Sequence, residues 1–121
     1  MSQQEEIVSG LILELRRGTI VLSVLSQLSK PLYGYSLVQR LNECNVPVEA
    51  NTLYPLLRRL EKQELLKSEW ETSGTIPRKY YITTELGNKV YEELRSHWAN
   101  MVKEMNRLMD LEDDKDDKEE L

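Results

Sequence analysis

Eight side chains in two clusters carry the chemistry this sequence can perform. Asn51, Thr52, Tyr54, Arg58, Arg59 and Lys62 fall within one short stretch, and Arg78 and Lys79 adjoin further on. Amide, hydroxyl, phenol and cationic groups at such spacings suit hydrogen bonds to base edges and charge pairing with phosphates. A catalytic set is not readable. There is no phosphate-cradling glycine loop, no paired-histidine motif and no nucleophile set recognisable by spacing, so no enzyme is expected. Cys44 and His97 are the sole residues of their types. That excludes an intrachain disulfide framework and leaves zinc short of ligands unless carboxylates supply them; neither a metal nor a cofactor is expected. Cys44 reads as a small, partly buried side chain, and a lone His97 on a long helix offers no mechanism.

The net charge of -5 argues against a nucleic-acid partner until it is divided along the chain. Residues 110–121 hold eight acidic residues and two lysines, whereas residues 1–109 hold 13 acidic and 14 basic residues. The negative charge therefore belongs to the last dozen residues, which lack an apolar face and are expected to form a disordered, solvated tail. Solubility explains such a tail as well as competition with DNA for the basic surface does. At 121 residues the chain suits one compact domain with a modest core. No apolar run approaches the eighteen or more residues of a membrane span, and Met1 to Glu6 lacks the basic start and apolar core of a secretory signal. A soluble, cytoplasmic protein is the expectation.

The elements that must position the two clusters follow from periodicity. Ile20, Val21, Val24, Leu25 and Leu28 lie on one face of a helix over Arg17 to Leu28, preceded by a short helix over about Glu5 to Glu14. Pro31 interrupts the pattern. A second helix fits Gly34 to Glu43, with Leu37, Val38 and Leu41 inward and Tyr33 and Tyr35 as packing residues at its opening. A third fits Ala50 to Gln63, where Leu53, Leu56, Leu57 and Leu60 form the buried stripe and the first cluster stays free. Two short adjacent helices, the second basic on its free side, predict a helix-turn-helix. Leu65 to Glu71 and Ile76 to Thr83, joined by Thr72-Ser73-Gly74-Thr75, read as a hairpin, with Thr84 capping a final helix to about Met109. The fold class is mainly α with a small β hairpin: residues 1–14 an N-terminal extension, 15–86 a winged helix-turn-helix, 87–109 a dimerisation helix and 110–121 the acidic tail.

Leu94, Trp98, Met101, Met105 and Leu108 recur at four, three, four and three residues, the spacing of a coiled-coil seam. Burying one such large side chain contributes roughly 1.5 to 3 kcal/mol. A two-fold homodimer is expected, with Ile7, Leu11 and Leu15 of the N-terminal segment joining the seam; packing back on the same chain is the rival. Around a dimer axis, Trp98, Met101 and Met105 would either fill the interface or border a flat cavity for a small aromatic effector.

Four segments in order resemble the PadR-like transcriptional regulators. They are Leu15-Arg16-Arg17-Gly18, opening the first helix, then Pro31-Leu32-Tyr33-Gly34-Tyr35 and Thr52-Leu53-Tyr54-Pro55-Leu56-Leu57-Arg58-Arg59-Leu60-Glu61. The fourth comprises Pro77-Arg78-Lys79-Tyr80-Tyr81 with Thr84-Glu85-Leu86-Gly87. The chain departs from the family's pattern at Glu49, where a small cap is usual, and at Glu64, where glycine is frequent. The resemblance implies a dimeric repressor that binds double-stranded operator DNA through the third helix and the wing, with aromatic inducers in some branches. A protein-interaction module that keeps the winged-helix shape is the alternative.

Overall fold

The computed structural model describes residues 2–111, so the run of acids from Glu112 onward lies outside the described residues. The first helix, α1 (Gln3–Arg17), is longer than the expected Glu5 to Glu14. Its ends explain the extension. The Ser2 hydroxyl accepts from the Glu5 amide at 3.1 Å, Glu5 and Glu6 face the positive end of the helix dipole, and Arg16 and Arg17 face the negative end. Together these offset the roughly 1 kcal/mol that Gly10 costs inside a helix. Leu15-Arg16-Arg17-Gly18 therefore closes α1 and does not open the next helix. Gly18 and Thr19 form the turn, and α2 begins only at Ile20 (Ile20–Gln27).

A two-residue strand that periodicity did not reveal, β1 (Leu32–Tyr33), precedes α3 (Gly34–Glu43) and α4 (Ala50–Lys62). The turn between these helices is stapled by Asn42, whose amide donates to the carbonyls of Val38 at 2.8 Å and Val48 at 3.2 Å. Strands β2 (Leu66–Glu71) and β3 (Arg78–Thr83) complete an antiparallel sheet of order β1-β3-β2. Glu71 pairs with Arg78, so the connecting loop runs over residues 72–77 and is two residues longer than expected. An even difference leaves every side chain on the face that alternation assigns to it. Leu66, Tyr81 and Thr83 turn inward and join Val24, Leu25, Leu28, Leu37, Leu41, Val48, Leu53, Leu57 and Leu60 in the core. Leu56 of the expected stripe is only half-buried.

Three helices end in the same way, with the residue after the cap in left-handed backbone: Asn45 after α3, Glu64 after α4 and Asp110 after α5 (Glu85–Leu108). After α4 the amides of Glu64 and Leu65 donate to the carbonyls of Glu61 at 2.9 Å and Leu60 at 3.0 Å, the paired bonds of a Schellman motif. Leu65 then meets α5. The Thr84 amide donates to its carbonyl at 3.0 Å, and a Cβ at Gly87 would collide with that carbonyl, so only glycine permits the crossing. Thr84 caps α5 as expected, its hydroxyl accepting from the Gly87 amide at 2.9 Å and donating to the Glu64 carbonyl at 2.7 Å.

Left-handed backbone costs an L-residue about 1–2 kcal/mol, while glycine loses about 0.5–1 kcal/mol more chain entropy on folding. Glu64→Gly is therefore expected to raise stability by about 0.5–1 kcal/mol, and Glu64→Val to lower it. Urea unfolding at fixed protein concentration, with the midpoint moving at constant slope, reads both changes.

Candidate nucleic-acid interface

Successive helical residues are rotated by about 100°, and this sorts α4 into two faces. Leu53, Leu57 and Leu60 are buried, whereas Asn51, Arg58 and Lys62 line up along the opposite ridge and are exposed. Thr52 and Arg59 flank that ridge on one side, also exposed; half-buried Tyr54 flanks it on the other. Glu49, at the N-cap, makes no side-chain capping bond, so its backbone carbonyl alone receives the amides of Thr52 at 3.0 Å and Leu53 at 2.9 Å. Pro55 has no amide hydrogen to donate to the Asn51 carbonyl one turn earlier. The start of α4 thus presents unpaired backbone groups together with Asn51 and Thr52.

Between α4, the start of α3 and the hairpin lies a groove of about 640 Å³. Of the eight cluster residues it gathers Tyr54, Arg58, Arg78 and Lys79; the other four lie on the free face of α4 outside its lining. Tyr54 owes its position to Gly34, because a Cβ there would overlap the Tyr54 ring. The pleat parts the two wing cations. Arg78 is exposed, with its guanidinium carbon 5.5 Å from the centre of the Tyr33 ring, itself edge-on to Tyr80 at 6.2 Å. Lys79 faces the other way, 5.5 Å from the Tyr81 ring and 5.8 Å from the Trp70 ring, with its ammonium 3.7 Å from a Glu61 oxygen.

Sequence reasoning missed Trp70 and Glu61. Trp70 is placed by the strand register, which sets it opposite Lys79, and Glu61 by its helical phase, seven residues after Tyr54 on the same flank. Tyr35 departs from its expected packing role: it is 67% exposed, with its hydroxyl accepting from the Gln39 amide at 3.1 Å. Cys44 is exposed at the end of α3, not partly buried. The apolar seams are also open. No residue of α1 is buried, and Ile7, Leu11 and Leu15 are each more than half exposed. On α5, Leu94, Trp98, Met101, Met105 and Leu108 are exposed. Among the described residues no group of His, Cys, Asp and Glu is placed to hold a metal, and no helix is long and apolar enough to cross a membrane.

Helices α2 to α4 followed by a two-stranded wing define a winged helix-turn-helix, the fold of a DNA-binding transcriptional regulator. The sequence pattern of the transcriptional regulator PadR-like family matches residues 21–93. The crystal structure of a PadR family transcriptional regulator from Eggerthella lenta DSM 2243 is 52% identical, with 88% of this chain and 95% of that one aligned at a TM-score of 0.84. A curated, uncharacterized protein of Lysinibacillus sphaericus is 35% identical over 88 residues, 69% of this chain and 77% of its own length. Bacillus subtilis PadR, solved in complex with operator DNA, shares the fold at 21% identity and a TM-score of 0.58, with 62% of this chain aligned to 45% of that one. The chain belongs to the PadR-like family of transcriptional regulators.

The wing carries two shifted ionisable groups. The Ser73 hydroxyl, and then its backbone amide at 3.0 Å, donate to the Glu71 carboxylate and hold its pKa below the ordinary 4.5. The Tyr80 phenol is shifted the other way, above 10.0, first by its hydrogen bond to Glu69 at 2.7 Å. A depressed carboxylate pKa stabilises the loop above the unfolded value, and this contribution disappears as pH falls through the folded value. An NMR titration is expected to place the Glu71 midpoint below 4.5 and to move it upward in Ser73→Ala.

Proposed function

We propose that this regulator is a homodimeric repressor that binds operator DNA sequence-specifically. The observation that carries the reading is the free face of α4, where Asn51, Thr52, Arg58, Arg59 and Lys62 project while the opposite face is locked in the core. An α-helix fits the major groove, and its N-terminal residues reach base edges. Asn51 donates to and accepts from an adenine edge. Thr52 and the first-turn amides meet a phosphate. Tyr54, Arg58 and Lys62 hold the duplex backbone, Arg59 adds charge on the flank, and Arg78 reaches the minor groove or flanking phosphate from the wing. That Bacillus subtilis PadR, which shares the fold, was solved in complex with operator DNA supports double-stranded DNA as the partner.

The exposed apolar residues of α1 and α5 support the dimer. Ile7, Leu11 and Leu15 on one helix and Leu94, Trp98, Met101, Met105 and Leu108 on the other are too many large apolar groups for water-facing helices. A two-fold pair presents two copies of α4 to successive turns of one duplex. Trp98, Met101 and Met105 near the axis receive a small planar aromatic effector that releases DNA.

Arg58→Ala is expected to weaken binding to a duplex from the upstream region of the protein's own gene by about tenfold, and to lower the salt slope by about one unit. Fluorescence anisotropy across salt concentrations measures both. Weak binding that is equal on a random duplex would favour the protein-interaction alternative. Sedimentation equilibrium is expected to give twice 14.2 kDa for the wild type and a 14.2 kDa species for Met101→Glu. A wild-type monomer at working concentration would remove the dimer from the reading.

A further inference from the structure

Glu61 is an acid on the helix proposed to read DNA, on the flank that faces the wing rather than on the free ridge. Its carboxylate is only partly exposed and joins three elements. One oxygen accepts the hydroxyl hydrogen of Ser68 on β2. The other lies 3.7 Å from the ammonium of Lys79 on β3, with the two side chains 33% and 31% exposed. The Lys79 ammonium is held in turn 5.5 Å from the Tyr81 ring and 5.8 Å from the Trp70 ring. A cation seated against two aromatic faces and paired with a carboxylate has its charge neutralised within the protein. The adjacent Arg78, on the other face of the strand, has no acidic partner among the described salt bridges and keeps its charge for an external anion.

We propose that Glu61 is a positioning residue for DNA recognition. Through Ser68 and Lys79 it fixes the wing at one angle to α4, so that helix and wing enter adjacent grooves of the same duplex together, and Lys79 is a strut in this clamp, not a phosphate ligand. The inference rests on the DNA-binding reading above. Its physical content is a division of labour between neighbouring cations: Arg78 releases counterions from DNA and Lys79 does not. A rigid angle contributes discrimination because only a duplex whose base edges and backbone both match the fixed spacing satisfies both elements. A loosened wing still finds phosphates on any duplex.

The two roles separate in a salt titration. The measurement is anisotropy of the full chain on the tightest-binding duplex from its own upstream region and on a random duplex of equal length, from low to moderate salt. Lys79→Met keeps an apolar stem against Trp70 and Tyr81 but removes the charge. It is expected to leave the salt slope at the wild-type value while reducing the ratio of specific to random affinity about tenfold. Glu61→Gln is expected to reduce the same ratio to a similar extent, and the double variant to lose no more than either single one. Arg78→Ala, in contrast, lowers the slope by about one unit on both duplexes.

A slope lowered by about one unit in Lys79→Met would make Lys79 a phosphate ligand and overturn the clamp. So would wild-type discrimination in both Lys79→Met and Glu61→Gln. If Glu61→Gln does not fold, as judged by thermal unfolding, Lys79→Met and Ser68→Ala decide the matter by the same ratio and slope. A wild-type protein that does not distinguish the two duplexes would instead sink the DNA-binding reading itself.

Discussion

The burial of one face of α4 is the constraint on which the rest of the structure depends. Leu53 and Leu57 are fully buried and Leu60 is 1% exposed. Truncating one such leucine to alanine costs about 2–5 kcal/mol, and a domain of this size is stable by about 5–15 kcal/mol in total. The helix therefore cannot roll about its axis without unfolding the molecule. Because the inward face is fixed, the outward ridge of Asn51, Arg58 and Lys62 is fixed with it, and the groove beside Tyr54 follows from the same rotation. That exposed ridge needs little local support of its own; its geometry comes from the opposite side of the same helix.

A second constraint sets where the wing begins. The chain leaves α4 through left-handed Glu64, donates back to Leu60 and Glu61, and presents the Leu65 carbonyl to Thr84. Gly87 lets α5 cross within contact of that carbonyl. The start of β2, the end of β3 and the start of α5 thus meet at one backbone junction, which holds the base of the hairpin while leaving its tip exposed. On the other side, the end of the central strand is tied to the end of α2, the Thr83 amide donating to the Leu28 carbonyl at 2.8 Å. Polar backbone groups at these joints are paired, so the small core need not stabilise open strand ends.

Charge is distributed with the same economy of parts. Arg78 and Lys79 are neighbours in sequence, yet the pleat sends one toward Tyr33 and the other toward Glu61, Trp70 and Tyr81. Of these two cations only Lys79 has an acidic partner among the described salt bridges. At the scale of the chain, the net value of -5 conceals a nearly neutral body before the acidic run at its end.

Much of the fold was legible in the residues themselves. The three-and-four spacing of leucines located α2, α3 and α4, the glycine-containing loop located the hairpin, and Thr84 marked the start of α5, because burial and capping are local demands that a linear pattern records. Two helix boundaries and a strand were not legible. Arg16 and Arg17 belong to α1 because they complement its dipole, and β1 exists only because Tyr33 and Leu32 meet Tyr80 and Tyr81 across the sheet. The free ridge of α4 could be read from its helical phase. The clamp of Glu61, Ser68 and Lys79 could not: its members lie on three elements, and only the packing of α4 on the sheet brings a carboxylate, a hydroxyl and an ammonium to one point. Composition and periodicity determined which faces are buried; tertiary structure decided which charges remain free, since side-chain pairing depends on distances that no linear spacing encodes.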